Sequence, residues 1–152
     1  MGYPTAVRFR HWVEYGAFAG MAFVLKALPR AWALGLGAGI GWIGWTLGIR
    51  RKLVLANIAR ALPQSTEQER RGIAARAARN FGRTVTDTIR FAGRDRYRTR
   101  ELVRMSRLEE LEAALAEGRG AIIVAGHLGA WGLYVAAISR VGIPTALLVG
   151  RQ

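Results

Sequence analysis

Cysteine is absent from this chain, and histidine nearly so: His11 and His127 are the only two, in different segments. That excludes a disulfide framework and a thiolate metal site, and two separated imidazoles do not make a zinc centre. Acid is scarce too. Ten Asp and Glu face 23 Lys and Arg, a formal net charge of +13, and no acidic residue follows Glu117. Lysine is confined to Lys26 and Lys52, so the cation is almost always arginine. Low-complexity tracts and internal repeats are lacking. Such a charge balance speaks of partners rather than fold: nucleic acid, an anionic membrane leaflet, or an acidic protein or substrate. No nucleic-acid recognition motif is present, and the apolar N-terminal segments favour the membrane.

Two apolar stretches fill the first third. Trp12 to Leu25 is interrupted only by Glu14, and Lys26, Pro29 and Arg30 punctuate its end. Ala31 to Ile49 carries no formal charge and is followed at once by Arg50-Arg51-Lys52. Spanning a hydrocarbon core takes about 20 apolar residues. The two stretches therefore predict one span plus an interfacial helix, or a hairpin. Their two-part character and the lack of a small-x-small cleavage site argue against a removable signal peptide. The larger basic cluster after Ile49 assigns residues 50 onward to the cytoplasm. Gly39-Ile40-Gly41-Trp42-Ile43-Gly44 matches GxGxxG in form. No strand pattern precedes it and no acidic ribose partner follows, so a nucleotide loop is not indicated. The Gly35/Gly39, Gly37/Gly41 and Gly44/Gly48 pairs suit close helix packing instead.

Residues 50–62 predict a helix ended by Pro63, with Leu55, Ile58 and Leu62 on one face and Arg51 and Lys52 free to reach phosphates. Thr66 and Glu69 form a candidate capping box opening an amphipathic helix over 67–91. Its expected core face is Ile73, Ala77, Phe81, Val85 and Thr88. Arg70, Arg76, Arg79, Arg83 and Arg90 are expected on the other, as a solvated face or a patch for lipid or an acidic partner. Residues 92–100 read as a loop and Leu102–Met105 as a short strand. Ser106 and Glu109 form a second candidate box, before a helix with Leu108, Leu111 and Leu115 that Gly118 stops. Ala121–Val124 reads as a buried strand, Trp131–Arg140 as a helix and Thr145–Val149 as another strand. That order is a crossover unit of a parallel sheet.

The most informative stretch is Gly118 to Trp131. A Gly-rich turn feeds an apolar run that ends at His127, just before a helix. A lone histidine there is often structural, held by backbone carbonyls. Three features favour a general base. Gly126 and Gly129 leave room for a substrate. The nearby helix N-terminus disfavours a positive imidazolium. The carboxyl end of a strand is where α/β sheets place ligands.

The run Gly120-Ala-Ile-Ile-Val-Ala-Gly-His127-Leu-Gly-Ala-Trp131 resembles the active-site motif of the bacterial lipid A biosynthesis acyltransferases, the lauroyl/myristoyl transferase family. Arg50-Arg51 through Asn57 and Ala61-Leu62-Pro63 is similar to that family's basic helix. Asn80-Phe81-Gly82, Leu108 through Gly120, and Gly142-Ile143-Pro144 through Arg151 resemble later pieces in the same order. The resemblance spans nearly the whole chain and corresponds to about the N-terminal half of a family member.

What the resemblance implies is an acyltransferase of lipopolysaccharide synthesis on the cytoplasmic face of the inner membrane. It would move a fatty acyl chain from acyl carrier protein to a hydroxyl of a lipid A precursor, or of a related glycolipid such as a phosphatidylinositol mannoside. Neither a cofactor nor a metal is implied. The expected fold is α/β: membrane-associated helices over residues 1–49, then over 50–152 the first part of a mixed-sheet acyltransferase domain, truncated. His127 would be the catalytic base, with Arg151, Gly129 and Trp131 binding substrate. Family members follow the histidine with a carboxylate after four intervening residues, and that position here is Gly132. The replacement carboxylate would come from elsewhere, Asp87 being one candidate, or catalysis is impaired. The alternative is a non-catalytic homologue that binds lipid through its basic helices. His11, beside Trp12, is expected at an interface rather than in a site.

Overall fold

The computed structural model describes the backbone of residues 5–124, 126 and 128–146, with side chains described from His11 onward except at Thr99 and Arg100. The described residues form helices and no strand: α1 (Thr5–Ala27), α2 (Arg30–Thr46), α3 (Arg51–Ala61), α4 (Glu67–Phe91), α5 (Thr99–Leu102), α6 (Leu108–Ala116) and α7 (Trp131–Arg140). They fall into two compact units, Met1–Arg94 and Asp95–Gln152.

In the first unit α4 lies against α2, and also touches α1 and α3. The close approach is built from missing side chains. A Cβ on Gly82 would sit 1.9 Å from the carbonyl oxygen of Gly37, and one on Gly41 would sit 2.1 Å from that of Ala78. Backbone meets backbone there, so only glycine fits. Thr86 stands one turn beyond Gly82, buried, its hydroxyl donating to the Gly82 carbonyl at 2.9 Å. The packed face of α4 is thus Ala74, Ala78, Gly82 and Thr86, running on to Ile89 and Arg90. This differs from the expected stripe: Phe81 and Thr88 are exposed. The contact selects small residues over large apolar ones, because the helices approach too closely for bulk. Of these glycines Gly41 sits inside the apparent GxGxxG, and it faces a helix backbone.

Arg90 is the largest side chain fully withdrawn from solvent. Its guanidinium donates to the carbonyls of Leu25 at 2.5 Å and Leu28 at 2.8 Å. Arg94, one turn on, donates to Ala27 at 2.7 Å and Lys26 at 3.2 Å. The last carbonyls of α1 lack intrahelical partners and carry the negative end of the helix dipole. Arg90 of α4 and Arg94, just past its end, satisfy carbonyls there, and Leu25, Ala33 and Ile89 form the apolar core alongside. Arg90 is therefore a buried cap and not part of a solvated face. Arg70 ties the α3–α4 turn, donating to Ser65 Oγ at 2.9 Å and the Pro63 carbonyl at 2.9 Å.

The α4 start follows the sequence expectation. Thr66 Oγ accepts from the Glu69 amide, and the Glu69 carboxylate accepts from the Thr66 amide at 2.7 Å. That backbone bond, with the Thr66 hydroxyl second, holds the Glu69 carboxyl below its ordinary range.

The apolar stretches differ from the predicted spans. No single described helix is long and apolar enough to cross a membrane. The stretch up to Ile49 breaks at Thr46, leaving α2 with 17 residues. Gly48 and Arg50 take positive φ, 82° and 52°, and α3 leaves at 94° to α2. Together α2 and α3 pass by length and composition as a bent pair. Arg51 closes the corner by donating to the Trp45 and Thr46 carbonyls at 2.8 and 3.0 Å, its guanidinium 5.0 Å from the Trp45 ring centroid. Its Nη2 is committed to the α2 C-terminus.

The expected α/β architecture with a mixed sheet is overturned. Val103, Arg104 and Met105 are irregular, following α5, and Ala121–Val124 forms no strand with any neighbour among the described residues. Ile122 is 95% exposed and Val124 93% exposed, so the run that reads as a buried strand is neither. Parallel strands depend on hydrogen-bonded neighbours and on helices covering both faces. The described residues supply no second strand. Of Thr145–Val149, Thr145 and Ala146 form no strand and the rest lie outside the described residues. The second candidate capping box also fails: the N-cap of α6 is Arg107, at φ 63°, with no side-chain cap.

Candidate active site

The segment between α6 and α7 carries the sequence motif. Glu117 ends α6, and Gly118 and Gly120 turn the chain at φ 75° and 73°. These left-handed conformations are low in cost for glycine alone. Arg119 pairs with Glu117 across this turn. Ile122, Val124 and Leu128 lie open to solvent. Around position 127 the Leu128 amide donates to the Gly126 carbonyl at 2.9 Å. Gly129, at φ 59°, turns the chain into α7, whose first residue is Trp131, 39% exposed. The N-cap Ala130 offers no side-chain acceptor, and its carbonyl receives the Leu133 amide at 2.8 Å. Ala137 and Ile138 bury the far turn of α7. Arg140 and Arg96 stack on Tyr97, at 5.2 and 4.3 Å from the ring centroid.

Of the four residues singled out by sequence, Gly129 lies in the bend just before α7 and Trp131 is the first residue of that helix. His127 and Arg151 lie outside the described residues. Gly132 is the second residue of α7, and a Cβ there would meet nothing within 4 Å. The position is open, so a longer side chain fits without displacing a neighbour. Asp87 belongs to the first unit and is paired with Arg30 at 2.6 Å, both half-buried. A carboxylate so engaged is a structural partner of the α2 start. His11 lies 3.5 Å from Glu14 on the exposed surface of α1. Among the described residues no cluster of three or more His, Asp or Glu is arranged to hold a metal.

The sequence that carries the motif is matched by a family model. The model for bacterial lipid A biosynthesis acyltransferase matches residues 4–150. The chain belongs to that family. No curated protein and no solved structure matches it. As a lipid A acyltransferase-type protein it is by resemblance a transferase, whose substrates in the family are an acyl group and a lipid acceptor. The glycine turns on either side of position 127 and the open start of α7 are what the family's motif looks like in this chain. Gly82, part of the Asn80-Phe81-Gly82 similarity, has a packing reason in the Gly37 contact.

The sequence left three features unread. Arg90 and Arg94 cap α1, but helical periodicity places Arg90 with the arginine face and Arg94 falls in a stretch that reads as a polar loop. The Arg51 cap of α2 is hidden in a basic run that invites a phosphate reading. The left-handed Arg50 has no sequence signal beyond Gly48 nearby.

Proposed function

We propose that the protein transfers a fatty acyl chain from acyl carrier protein to a hydroxyl of a lipid A precursor, at the cytoplasmic face of the inner membrane, with His127 as general base. The observation that carries this reading is the family match over residues 4–150, which runs through the His127 motif. The +13 net charge supports it in two ways, through anionic lipid and through the acidic carrier protein. The exposed Trp12, Phe18, Trp32 and Leu36 of α1 and α2 support a membrane surface.

The chemistry asks for little machinery. The acceptor oxygen attacks the thioester carbonyl carbon while His127 takes the hydroxyl proton. The C–S bond then breaks, and the departing thiolate takes that proton from the imidazolium. An ester and a free thiol result. Arg151 would stabilise the oxyanion. Gly129 and Trp131 would shape the entry. Gly132 supplies no carboxylate to orient the imidazole, so turnover is reduced.

Transfer of a labelled acyl group from acyl carrier protein to a lipid A precursor in mixed micelles tests this reading. His127→Ala should lower the rate by at least about 100-fold. A rate indifferent to that change contradicts the base assignment. The lack of a side chain at Gly132 favours a second reading, a non-catalytic lipid-binding homologue. Absence of incorporation at every protein concentration would establish it.

A further inference from the structure

The first unit contains an open cleft of about 620 Å³ walled by α2 and α4, with residues of α1 and α3 also lining it. That volume is in the range of small-ligand pockets, roughly 300–1,000 Å³. Its floor is the glycine contact at Gly37, Gly41 and Gly82, and its walls are apolar. The one hydroxyl, on Thr86, is already spent on the Gly82 carbonyl. Among the described residues that line the cleft, Arg50 is the single charged one. Among the described residues Arg50 is also one of two non-glycine residues at positive φ, a region that is unfavourable for a residue with a Cβ. A strained residue held at a cavity rim points to use. Beside it Leu47 is 75% exposed and Ile49 63% exposed, with Lys52 following.

An apolar groove with one guanidinium in its lining fits an amphiphile with an anionic head. The apolar rim decides the source. A tail entering from a bilayer passes over Leu47 and Ile49 without crossing water. We propose that this cleft holds one hydrocarbon tail of an anionic phospholipid drawn from the membrane, with its phosphate on Arg50. Guanidinium and phosphate pair bidentately, which fixes the head while the walls hold the tail. The inference rests on the membrane location given under the proposed function, and it goes beyond the acyl-transfer chemistry.

The test uses the full chain on mixed phosphatidylglycerol–phosphatidylcholine vesicles, with a trace phosphatidylglycerol carrying a mid-tail diazirine. Co-sedimentation reads membrane binding, and mass spectrometry maps the photoadducts. Adducts are expected on the withdrawn cleft residues Leu25, Ala74 and Val85. Arg50→Gly suits the left-handed backbone, so it removes the cation without straining the fold. It should lower cleft labelling about tenfold, the ratio for one lost charge-assisted hydrogen bond. Ala77→Trp should fill the cleft and abolish cleft adducts while co-sedimentation persists. Adducts confined to exposed residues such as Trp32 and Leu36 would overturn the proposal, as would cleft labelling indifferent to Arg50→Gly. Labelling by a diazirine fatty acid alone would overturn the phospholipid source. In each of these cases co-sedimentation leaves the membrane reading standing. A chain that fails to sediment with vesicles overturns both.

Discussion

The two units are held together by different means. Residues up to Arg94 rely on backbone-close helix contact and on arginines that cap a neighbouring helix. From Asp95 onward the described structure offers short helices, a glycine-turned segment and few buried apolar side chains. The family's chemical motif lies in the second, while the specific packing lies in the first. Architecture and chemistry are thus separable here. Substitutions in the first unit should act on stability, and those around α7 on rate.

Glycine substitution on α2 and α4 breaks this comparison most severely. Gly82→Ala drives a Cβ into the Gly37 backbone, where no flexible side chain can yield. The cost should be at least ~3 kcal/mol, lowering Tm by on the order of 10 °C. Gly35→Ala, on the open side of α2 with nothing within 4 Å, should instead be neutral or stabilise by up to ~1 kcal/mol. Thermal melts of the two variants check the opposite signs. If both destabilise equally, the close α2–α4 contact is wrong.

Arg90→Ala comes next. It leaves the Leu25 and Leu28 carbonyls without their charged donor and should cost about 3 kcal/mol. Arg94→Ala, on more exposed carbonyls, should cost under ~1 kcal/mol. Chemical denaturation of each variant measures the gap, and equal losses would mean that burial does not distinguish the two caps.

The smallest effect is at the start of α4. The Glu69 carboxyl is held low by the Thr66 amide and hydroxyl. A depressed folded pKa gives stabilisation that is present above the ordinary carboxylate range, near ~4.3. It is lost as pH falls through the lowered folded value. Glu69→Ala, which removes the carboxylate that both bonds hold, should destabilise the start of α4 at neutral pH. The difference between variant and parent should shrink on acidification below that window. Helix content followed by circular dichroism against pH measures it, and a difference constant down to strong acid would contradict the capping geometry.

Much of the helical layout was legible in the sequence. The Thr66–Glu69 box and the span 67–91 are local signals, and the structure places α4 over Glu67–Phe91. The helix over Trp131–Arg140 is likewise where periodicity puts it. What failed depended on distant partners. Ala121–Val124 has strand composition, but a strand exists only with a neighbour to pair with. Ser106 and Glu109 have box spacing, yet Arg107 takes the cap position in a left-handed turn. The apolar stretch 31–49 has the length of a span, but Gly48 and Arg50 bend the chain before it can run straight. Arg90 looks like its exposed neighbours until the α1 carbonyls are known. In the candidate site, the glycine turns and the vacancy at Gly132 follow from sequence, and the open space around Gly132 does not.

That open space allows the most direct test of base catalysis with a missing orienting carboxylate. The measurement is the acyl-transfer rate of Gly132→Glu against the parent chain, with and without His127→Ala. Restoring the carboxylate should raise the rate by roughly 10² to 10⁴-fold, the range by which orienting carboxylates assist catalytic imidazoles. The gain should vanish when His127→Ala is added, with Tm unchanged throughout. A Gly132→Glu rate equal to the parent, or a gain that survives loss of His127, would contradict the proposed catalysis.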